Sequence, residues 1–147
     1  MMTNNTVYLR RGLAVWCVII LAESVHGLAR ELWLKPLVGD FRARQLAVFT
    51  GMVLILLLAW LFTHWVCAQS RRQLLKVGGL WVALTLAFEF GLGRFGLGYS
   101  WERMLEDYNL FKGGWLGLGL LFMFFAPLLA ARFREPARPL RIEGSSQ

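Results

Sequence analysis

Four long apolar runs, separated by short polar segments, set the pattern of the chain. A transmembrane helix needs about 20 consecutive apolar residues to cross the hydrocarbon core of a bilayer. The second run is the clearest, because no charged residue lies between Arg44 and Arg71. The pattern predicts an all-α, polytopic integral membrane protein, with four transmembrane helices at residues 12–33, 46–66, 77–97 and 113–131.

The polar segments predict where these helices begin and end. Residues 1–11 are polar and end in two arginines, so we expect an N-terminal segment that precedes the first helix. Pro36 is expected to stop that helix, and Lys35 to Arg44 to form a loop with a turn at Gly39. Residues 132–147 contain basic residues, proline, glycine and serine, which predicts a disordered basic tail.

The segment after the third run predicts a short helix at the membrane surface. Ser100 is a suitable N-cap, and an amphipathic stretch follows it. Trp101 and Tyr108 are expected at the level of the lipid headgroups, where aromatic rings concentrate.

Composition and charge support a membrane protein and exclude a nucleic-acid-binding domain. Hydrophobic residues make up 57% of the chain, mean hydropathy is +0.52, and there are seven Trp and eleven Phe. The formal net charge is +7, but the basic residues lie in short clusters between apolar runs and form no nucleic-acid motif. We therefore expect them to contact lipid headgroups and to set the orientation in the membrane.

The basic residues also predict which end of the bundle faces the cytoplasm. With both termini inside, nine Lys and Arg residues fall on the inner segments and seven on the outer ones, which accounts for all 16. This bias follows the rule that cytoplasmic loops are enriched in Lys and Arg. The sequence thus predicts a multi-pass protein of the cell membrane with both termini cytoplasmic.

Charged residues inside the first and third runs predict a polar centre. Glu23, His26 and Arg30 follow one another at helical spacings of three and four, which places them on one helix face. Glu89 and Arg94 lie in the third run. Ionisable residues within a membrane span usually face the bundle interior and mark a functional site. We expect the arginines to lean toward the glutamates, so that all five residues form one cluster open to the outer side.

The two halves of the chain resemble each other in the order of their features. Each has an apolar run interrupted by a glutamate, then a polar segment and an uncharged apolar run. Glu23 lies 17 residues before Asp40, and Glu89 lies 18 residues before Asp107. The pattern suggests two repeated helix pairs related by an axis along the membrane normal.

The sequence contains no set of residues that predicts a catalytic, metal or cofactor site. Cys17 and Cys67 match no metal-binding spacing and are expected to be free thiols. A di-metal bundle needs the carboxylate–histidine motif of Glu23 and His26 from two helices, and only one is present. His26 and His64 should lie about 18 Å apart along the bundle, too far to hold one haem. The sequence therefore favours a protein that is not an enzyme.

Four helices in a short chain, with Leu21-Ala22-Glu23 in the first of them, resemble the small multidrug resistance transporters. In that family a glutamate of the first helix binds a proton and a cationic substrate in turn, which would give Glu23 this role. The resemblance covers only the helix number and this glutamate. This chain departs from the family by Glu89, Arg30 and Arg94, and the arginines would repel a cation.

Two hypotheses of function follow from the sequence. In the first, Glu23 and Glu89 exchange protons with His26 as a relay, and the movement of an anionic solute or a lipid headgroup is linked to them. In the second, the chain is a non-catalytic membrane subunit or assembly factor, or a homo-oligomer, whose outer segments dock a membrane partner. The residues expected in such outer contacts are Asp40, Arg42, Arg44, Trp101, Asp107 and Tyr108. An enzyme acting on a lipid headgroup at the outer face is a third alternative.

Overall fold

The computed structural model describes residues 4–134, and within them the chain is helical with short connections and no strand. The helices are α1 (Asn4–Ala29), α2 (Lys35–Val38), α3 (Asp40–Val66), α4 (Arg71–Gly91), α5 (Trp101–Glu106) and α6 (Leu116–Arg134). Turns of π-helix at Arg30–Leu34 and Leu92–Gly96 extend α1 and α4, and a 3₁₀ turn at Leu110–Lys112 follows α5. The prediction of an all-α fold is confirmed for this part of the chain.

Four helical segments are long and apolar enough to cross a membrane, as the hydrophobic pattern predicts. They run over Thr6–Val38, Asp40–Val66, Arg71–Gly96 and Leu116–Arg134. Many large apolar side chains on these helices are exposed, including Val25, Leu37 and Val53, each of which is more than two-thirds exposed. Four apolar helices with apolar outer faces indicate a multi-pass membrane protein.

The first helical segment extends beyond its predicted span at both ends, α3 and α4 do so at their starts and α6 at its end, and the predicted loop from Lys35 to Arg44 is helical except at Gly39. Pro36 lies within the continuous helical segment Thr6–Val38, two residues after the π-helical turn, so the expectation that it stops the first helix is wrong. The chain bends at Gly39 instead, whose φ of 85° is one that glycine adopts readily.

Other helix boundaries differ because hydropathy marks the part of a helix that can lie inside a membrane, whereas backbone hydrogen bonds can extend the helix beyond that part. The helices begin earlier than predicted at Asn4, Asp40 and Arg71. At the third of these, the Ser70 side chain caps the helix by accepting from the Gln73 N–H at 3.3 Å. The predicted tail begins inside α6, which continues to Arg134. Residues 1–3 and 135–147 of the two predicted terminal segments lie outside the described residues.

The four long helices alternate in direction along the chain, and α1 and α6 each pack against both α3 and α4, so that α1 and α4 are parallel neighbours, as are α3 and α6. Arg11 of α1 donates to the Trp65 carbonyl at 2.9 Å, and Arg134 of α6 donates to the Trp60 carbonyl at 2.5 Å. The start of α1 and the ends of α3 and α6 therefore lie at one end of the bundle. We call it the basic end; its charged residues within the described part of the chain are Arg10, Arg11, Arg71, Arg72, Lys76, Arg132 and Arg134.

The opposite end holds both acidic and basic residues, and we call it the mixed-charge end. It contains the residues from Arg30 to Arg44 and from Arg94 to Lys112. Glu23 and Glu89 lie between the two ends.

The buried core lies toward the basic end and holds α1, α4 and α6 together. Ile19, Val77, Trp81 and Ala126 are each almost fully buried. The Trp81 indole N–H donates to the Gly12 carbonyl at 2.8 Å, which satisfies this buried polar group. This well-packed half supports the more polar half that contains the two glutamates.

The arrangement of the helices bears on the predicted repeat. The single predicted cluster requires the first and third spans to be neighbours, and α1 does pack against α4. In a bundle of four, a two-fold axis along the bundle would place these two helices at opposite corners. The neighbour pattern therefore does not confirm the repeat.

Candidate functional site

The first part of the candidate site is a chain of polar side chains that joins α1 to α3. The Glu23 Oε2 atom lies 3.4 Å from His26 Nδ1, so the spacing of three places both on one face as predicted. His26 Nε2 lies 2.7 Å from the Thr50 hydroxyl of α3. That hydroxyl donates to the Leu46 carbonyl at 3.1 Å. A continuous path of polar contacts thus runs from a carboxylate to the backbone of the neighbouring helix.

Gly51 makes room for the Glu23 carboxylate against α3. A methyl group at position 51 would lie 3.1 Å from Oε2 and 3.4 Å from Oε1. The Oε1 atom is buried and has no hydrogen-bond partner within residues 4–134. Leaving a buried acceptor unpaired costs about 1–3 kcal/mol, and more for a charged group. One oxygen of this carboxyl group therefore lacks a hydrogen-bond partner, and either a bound proton or a donor group would satisfy it.

The second part of the site is Glu89, which is bound by Tyr108 from the segment after α5 at the mixed-charge end. The Tyr108 hydroxyl donates to Glu89 Oε2 at 3.0 Å. The Tyr108 ring stacks on Phe90, with centroids 5.9 Å apart and planes inclined by 10°. Glu89 is also close enough to Glu23 and Asp107 for their charges to interact. Glu23 contacts His26 of its own helix, whereas Glu89 is bound by Tyr108 from the segment after α5.

Burial, together with the negative charge of Glu89, raises the pKa of Tyr108 above its usual value. The phenol therefore stays protonated throughout the physiological pH range and remains a donor to Glu89.

The two arginines of the predicted cluster have other partners, and their expected pairing with the glutamates is not found. Arg30 pairs with Glu31 at 3.4 Å. Arg94 donates to the Tyr99 carbonyl at 3.3 Å and lies 5.7 Å from the centre of the Trp101 ring. Arg30 begins the first π-helical turn and Arg94 lies within the second, and each is close to the partners just named. Within residues 4–134, no arginine or lysine forms a salt bridge with Glu23 or Glu89.

A network of ion pairs at the mixed-charge end anchors the segment that carries Tyr108. Arg44 binds Asp107 at 2.6 Å and Asp40 at 3.1 Å. Lys35 pairs with Asp40 at 3.4 Å and also contacts Glu31. Because Asp107 precedes Tyr108, its bond to α3 holds the tyrosine over Glu89.

These ion pairs involve three of the six residues that the sequence predicts in outer contacts. Arg44 binds both Asp40 and Asp107, and the Tyr108 hydroxyl faces inward to Glu89. Arg42 is exposed and has no ion-pair partner in the described part of the chain. Trp101 is 55% exposed beside Arg94.

Sequence reasoning missed Thr50 and Gly51, which α3 contributes to the site. Both lie in an apolar run, where a threonine or a glycine is ordinary, and neither is charged. It also missed a polar contact in the core, where the Trp16 indole N–H donates to the Thr85 hydroxyl at 2.9 Å. The residue types alone carried no signal of these pairings, because each depends on which helix is the neighbour.

Comparison with known proteins adds no assignment to this geometry. No protein family, curated protein or solved structure matches the chain. Among the described residues, no group of three or more His, Cys, Asp or Glu side chains is placed to hold a metal ion. The function is therefore argued from the site itself.

Replacing Tyr108 with phenylalanine should destabilise the protein by about 1–3 kcal/mol, because it leaves the Glu89 oxygen without its donor. Thermal unfolding in detergent measures this loss. Tyr99→Phe is the control, since Tyr99 is 44% exposed and its hydroxyl makes no hydrogen bond within the described chain. Equal stability of the two variants would contradict the role of this bond.

The same variant tests the raised pKa of Tyr108. A tyrosine whose pKa is higher in the folded than in the unfolded protein loses native-state stability as the pH rises above its unfolded value, about 10. An ultraviolet titration of the folded protein should therefore show a late tyrosinate phase that Tyr108→Phe lacks. Retention of that phase in the variant would assign it to another residue.

Proposed function

We propose that this chain is an integral membrane protein in which Glu23 and His26 share an exchangeable proton, with Glu89 as a second proton-binding group. The observation that carries the proposal is the contact between Glu23 and His26, 3.4 Å long, at the end of the path through Thr50. The proton transfer would be linked to the movement of a small solute or a lipid headgroup.

The hydrogen-bond directions along this path leave a place for one proton. Because the Thr50 hydroxyl donates to the Leu46 carbonyl, its oxygen accepts from His26 Nε2–H. A neutral imidazole then presents its unprotonated Nδ1 to the Glu23 carboxylate, and two acceptors facing each other repel. A proton on either group turns this repulsion into a hydrogen bond or an ion pair.

The surroundings of the glutamates favour a proton over a permanent counter-ion. A carboxylate in an apolar bundle needs a partner, and no lysine or arginine supplies one to Glu23 or Glu89 within residues 4–134. Two neighbouring carboxylates cannot both ionise cheaply. The same placement of Arg30 and Arg94 argues against an anion bound beside the glutamates and favours a proton or a cationic group.

For the orientation, we propose that the basic end faces the cytoplasm of a cell membrane, so that both termini are inside. Support comes from the Lys and Arg residues of the full sequence, of which nine lie on the segments assigned to this side and seven on the segments assigned to the other side. A reporter active only in the cytoplasm, fused after Gln147, should be active. An inactive fusion, with a periplasmic reporter active at the same site, would reverse the orientation.

Proton movement in sealed vesicles tests the proposed function. Vesicles containing the purified protein and a pH-sensitive dye, placed under a potassium diffusion potential, should acidify faster than empty vesicles. Glu23→Gln should abolish the difference. Glu102→Gln is the control, because Glu102 is exposed and forms no ion pair in the described chain. Equal rates for the native protein and Glu23→Gln would contradict the proposal.

A second candidate function is that of a membrane subunit that docks a partner at the mixed-charge end. Phe95 is 90% exposed there and Phe111 is fully exposed, which is unusual for aromatic side chains beside a polar surface. A partner that co-purifies with the native protein and is lost in Phe111→Ser, without any proton movement in vesicles, would favour this function.

A further inference from the structure

A groove between α1 and α3 opens near the basic end of the bundle. Its volume is about 320 Å³, and its walls are the side chains of Ala14, Val15, Val18, Phe62 and Trp65. All five are apolar, and Ala14, Val18 and Trp65 are exposed, so the groove opens at the surface of the bundle. On a membrane-spanning bundle this surface meets lipid, and such a groove suits a hydrocarbon chain.

Arg11 lies at the end of this groove. Residues 11, 15 and 18 share one face of α1, because their spacings are four and three. The Arg11 guanidinium lies 5.5 Å from the centre of the Trp65 ring, and Trp65 is itself a wall of the groove. The cationic guanidinium of Arg11 thus lies where this apolar groove meets the basic end.

The hydrogen bonds of Arg11 leave part of its guanidinium unused. Nη1 donates to the Trp65 carbonyl at 2.9 Å and to the Cys67 sulfur at 2.8 Å. Within residues 4–134, Nη2 has no hydrogen-bond partner and no carboxylate pairs with Arg11. A guanidinium with free donors and no counter-ion is suited to bind a phosphate oxygen.

The charge around the groove is of one sign. Arg10 is exposed next to Arg11, and the described charged residues of the basic end are all Lys or Arg. Basic pockets between transmembrane helices at the cytoplasmic side bind the headgroups of anionic lipids. The groove offers a place for the chain of such a lipid, and Arg11 offers a contact for its phosphate.

We propose that the groove between α1 and α3 binds an acyl chain of an anionic phospholipid, whose phosphate contacts Arg11. The inference rests on the membrane location proposed above but not on the proton site. Glu23 lies about three turns beyond Arg11 along α1 and is not a wall of the groove. Such a lipid would join α1 to the end of α3 and stabilise the bundle at this corner.

The chain offers a matched control for this site. Arg134 also donates to carbonyls at the end of α3, those of Trp60 and Leu61, and lies 5.1 Å from the centre of the Trp60 ring. Neither Arg134 nor Trp60 borders the groove. Removing Arg134 therefore removes the same kinds of protein contact and the same charge, but leaves the proposed lipid site intact.

The experiment is thermal unfolding in a neutral detergent, titrated with phosphatidylglycerol or with phosphatidylcholine of the same chains. The native protein should gain more thermal stability from the anionic lipid than from the zwitterionic one. In Arg11→Gln the apparent affinity for phosphatidylglycerol should fall about tenfold, the effect of losing one charged hydrogen bond. Arg134→Gln should keep the native response. Val18→Trp, which fills the groove, should lose the response while Arg11 is unchanged.

Several outcomes would overturn the proposal. Equal gains from both lipids in the native protein would exclude selection of the anionic headgroup. Equal losses in Arg11→Gln and Arg134→Gln would assign the effect to the total charge of the basic end. If Arg11→Gln does not fold, Val18→Trp decides, and a native response in that variant refutes the groove. Proton movement in vesicles is measured separately, so either proposal can fail while the other stands.

Discussion

Gly78→Ala should separate α4 from α6 and destabilise the bundle by about 3 kcal/mol or more, at the upper end of the range for overpacked cores. A methyl group on Gly78 would lie 1.9 Å from the Phe124 carbonyl oxygen and 2.8 Å from its carbon. Both are backbone atoms of α6, so no side-chain rotation can relieve the clash. The two helices would have to move apart, and the buried contacts of Val77 and Ala126 would loosen with them.

Gly79→Ala is the matched control for this prediction. Its methyl group would lie 3.6 Å from the Phe124 ring, an ordinary van der Waals distance. Because alanine favours a helix over glycine by about 1 kcal/mol, this variant should unfold at the native temperature or above it. Thermal unfolding of both variants in one detergent measures the difference. Similar unfolding temperatures would mean that α4 and α6 are not packed as closely as described.

The hydrophobic pattern predicted the number of long helices because that number depends only on the apolar runs along the chain and their lengths. It did not predict the helical conformation of Lys35 to Arg44, since a polar segment outside the apolar core of a membrane can still complete its own backbone hydrogen bonds. The sequence also contains a proline there, which usually interrupts a helix, but the helical segment continues through it directly after a turn of π-helix.

The candidate site was predictable where it depends on one helix and not where it depends on two. Glu23 and His26 meet because a spacing of three puts them on one face. Thr50 and Gly51 reach the same place from α3, and no local pattern marks them. Tyr108 was expected at the headgroups, but stacking on Phe90 turns its hydroxyl toward Glu89.

Arg30 and Arg94 show that the position of a residue along its helix does not by itself determine which partner it binds. Their positions along the helices allowed contacts with the glutamates, as predicted. In the structure nearer partners take them: Glu31 beside Arg30, and the Trp101 ring and Tyr99 carbonyl beside Arg94. Which of several nearby partners an arginine binds depends on the folded structure. Here that choice leaves Glu23 and Glu89 without a salt bridge to an arginine or lysine within residues 4–134.

Glu23→Gln should yield a folded protein of nearly native stability that no longer moves protons. Glutamine has the shape of a protonated carboxyl group, and its NH₂ group can donate to His26 Nδ1 across the same contact. If Glu23 is neutral for part of its cycle, the variant therefore imitates one of the natural states. Its unfolding temperature in detergent should match that of the Glu102→Gln control.

A purely structural pair of Glu23 and His26 predicts the opposite result. Removing one charge of a buried pair leaves the other unpaired, which costs about 3–5 kcal/mol. Glu23→Gln would then be unstable, and the double variant with His26→Gln would recover much of the loss. Infrared difference spectra recorded as the pH is changed give a second test, since a proton-binding carboxyl group produces a band that disappears in Glu23→Gln. An unstable variant rescued by His26→Gln, with no such band in the native protein, would refute the proton site and leave the pair as a structural contact between α1 and α3.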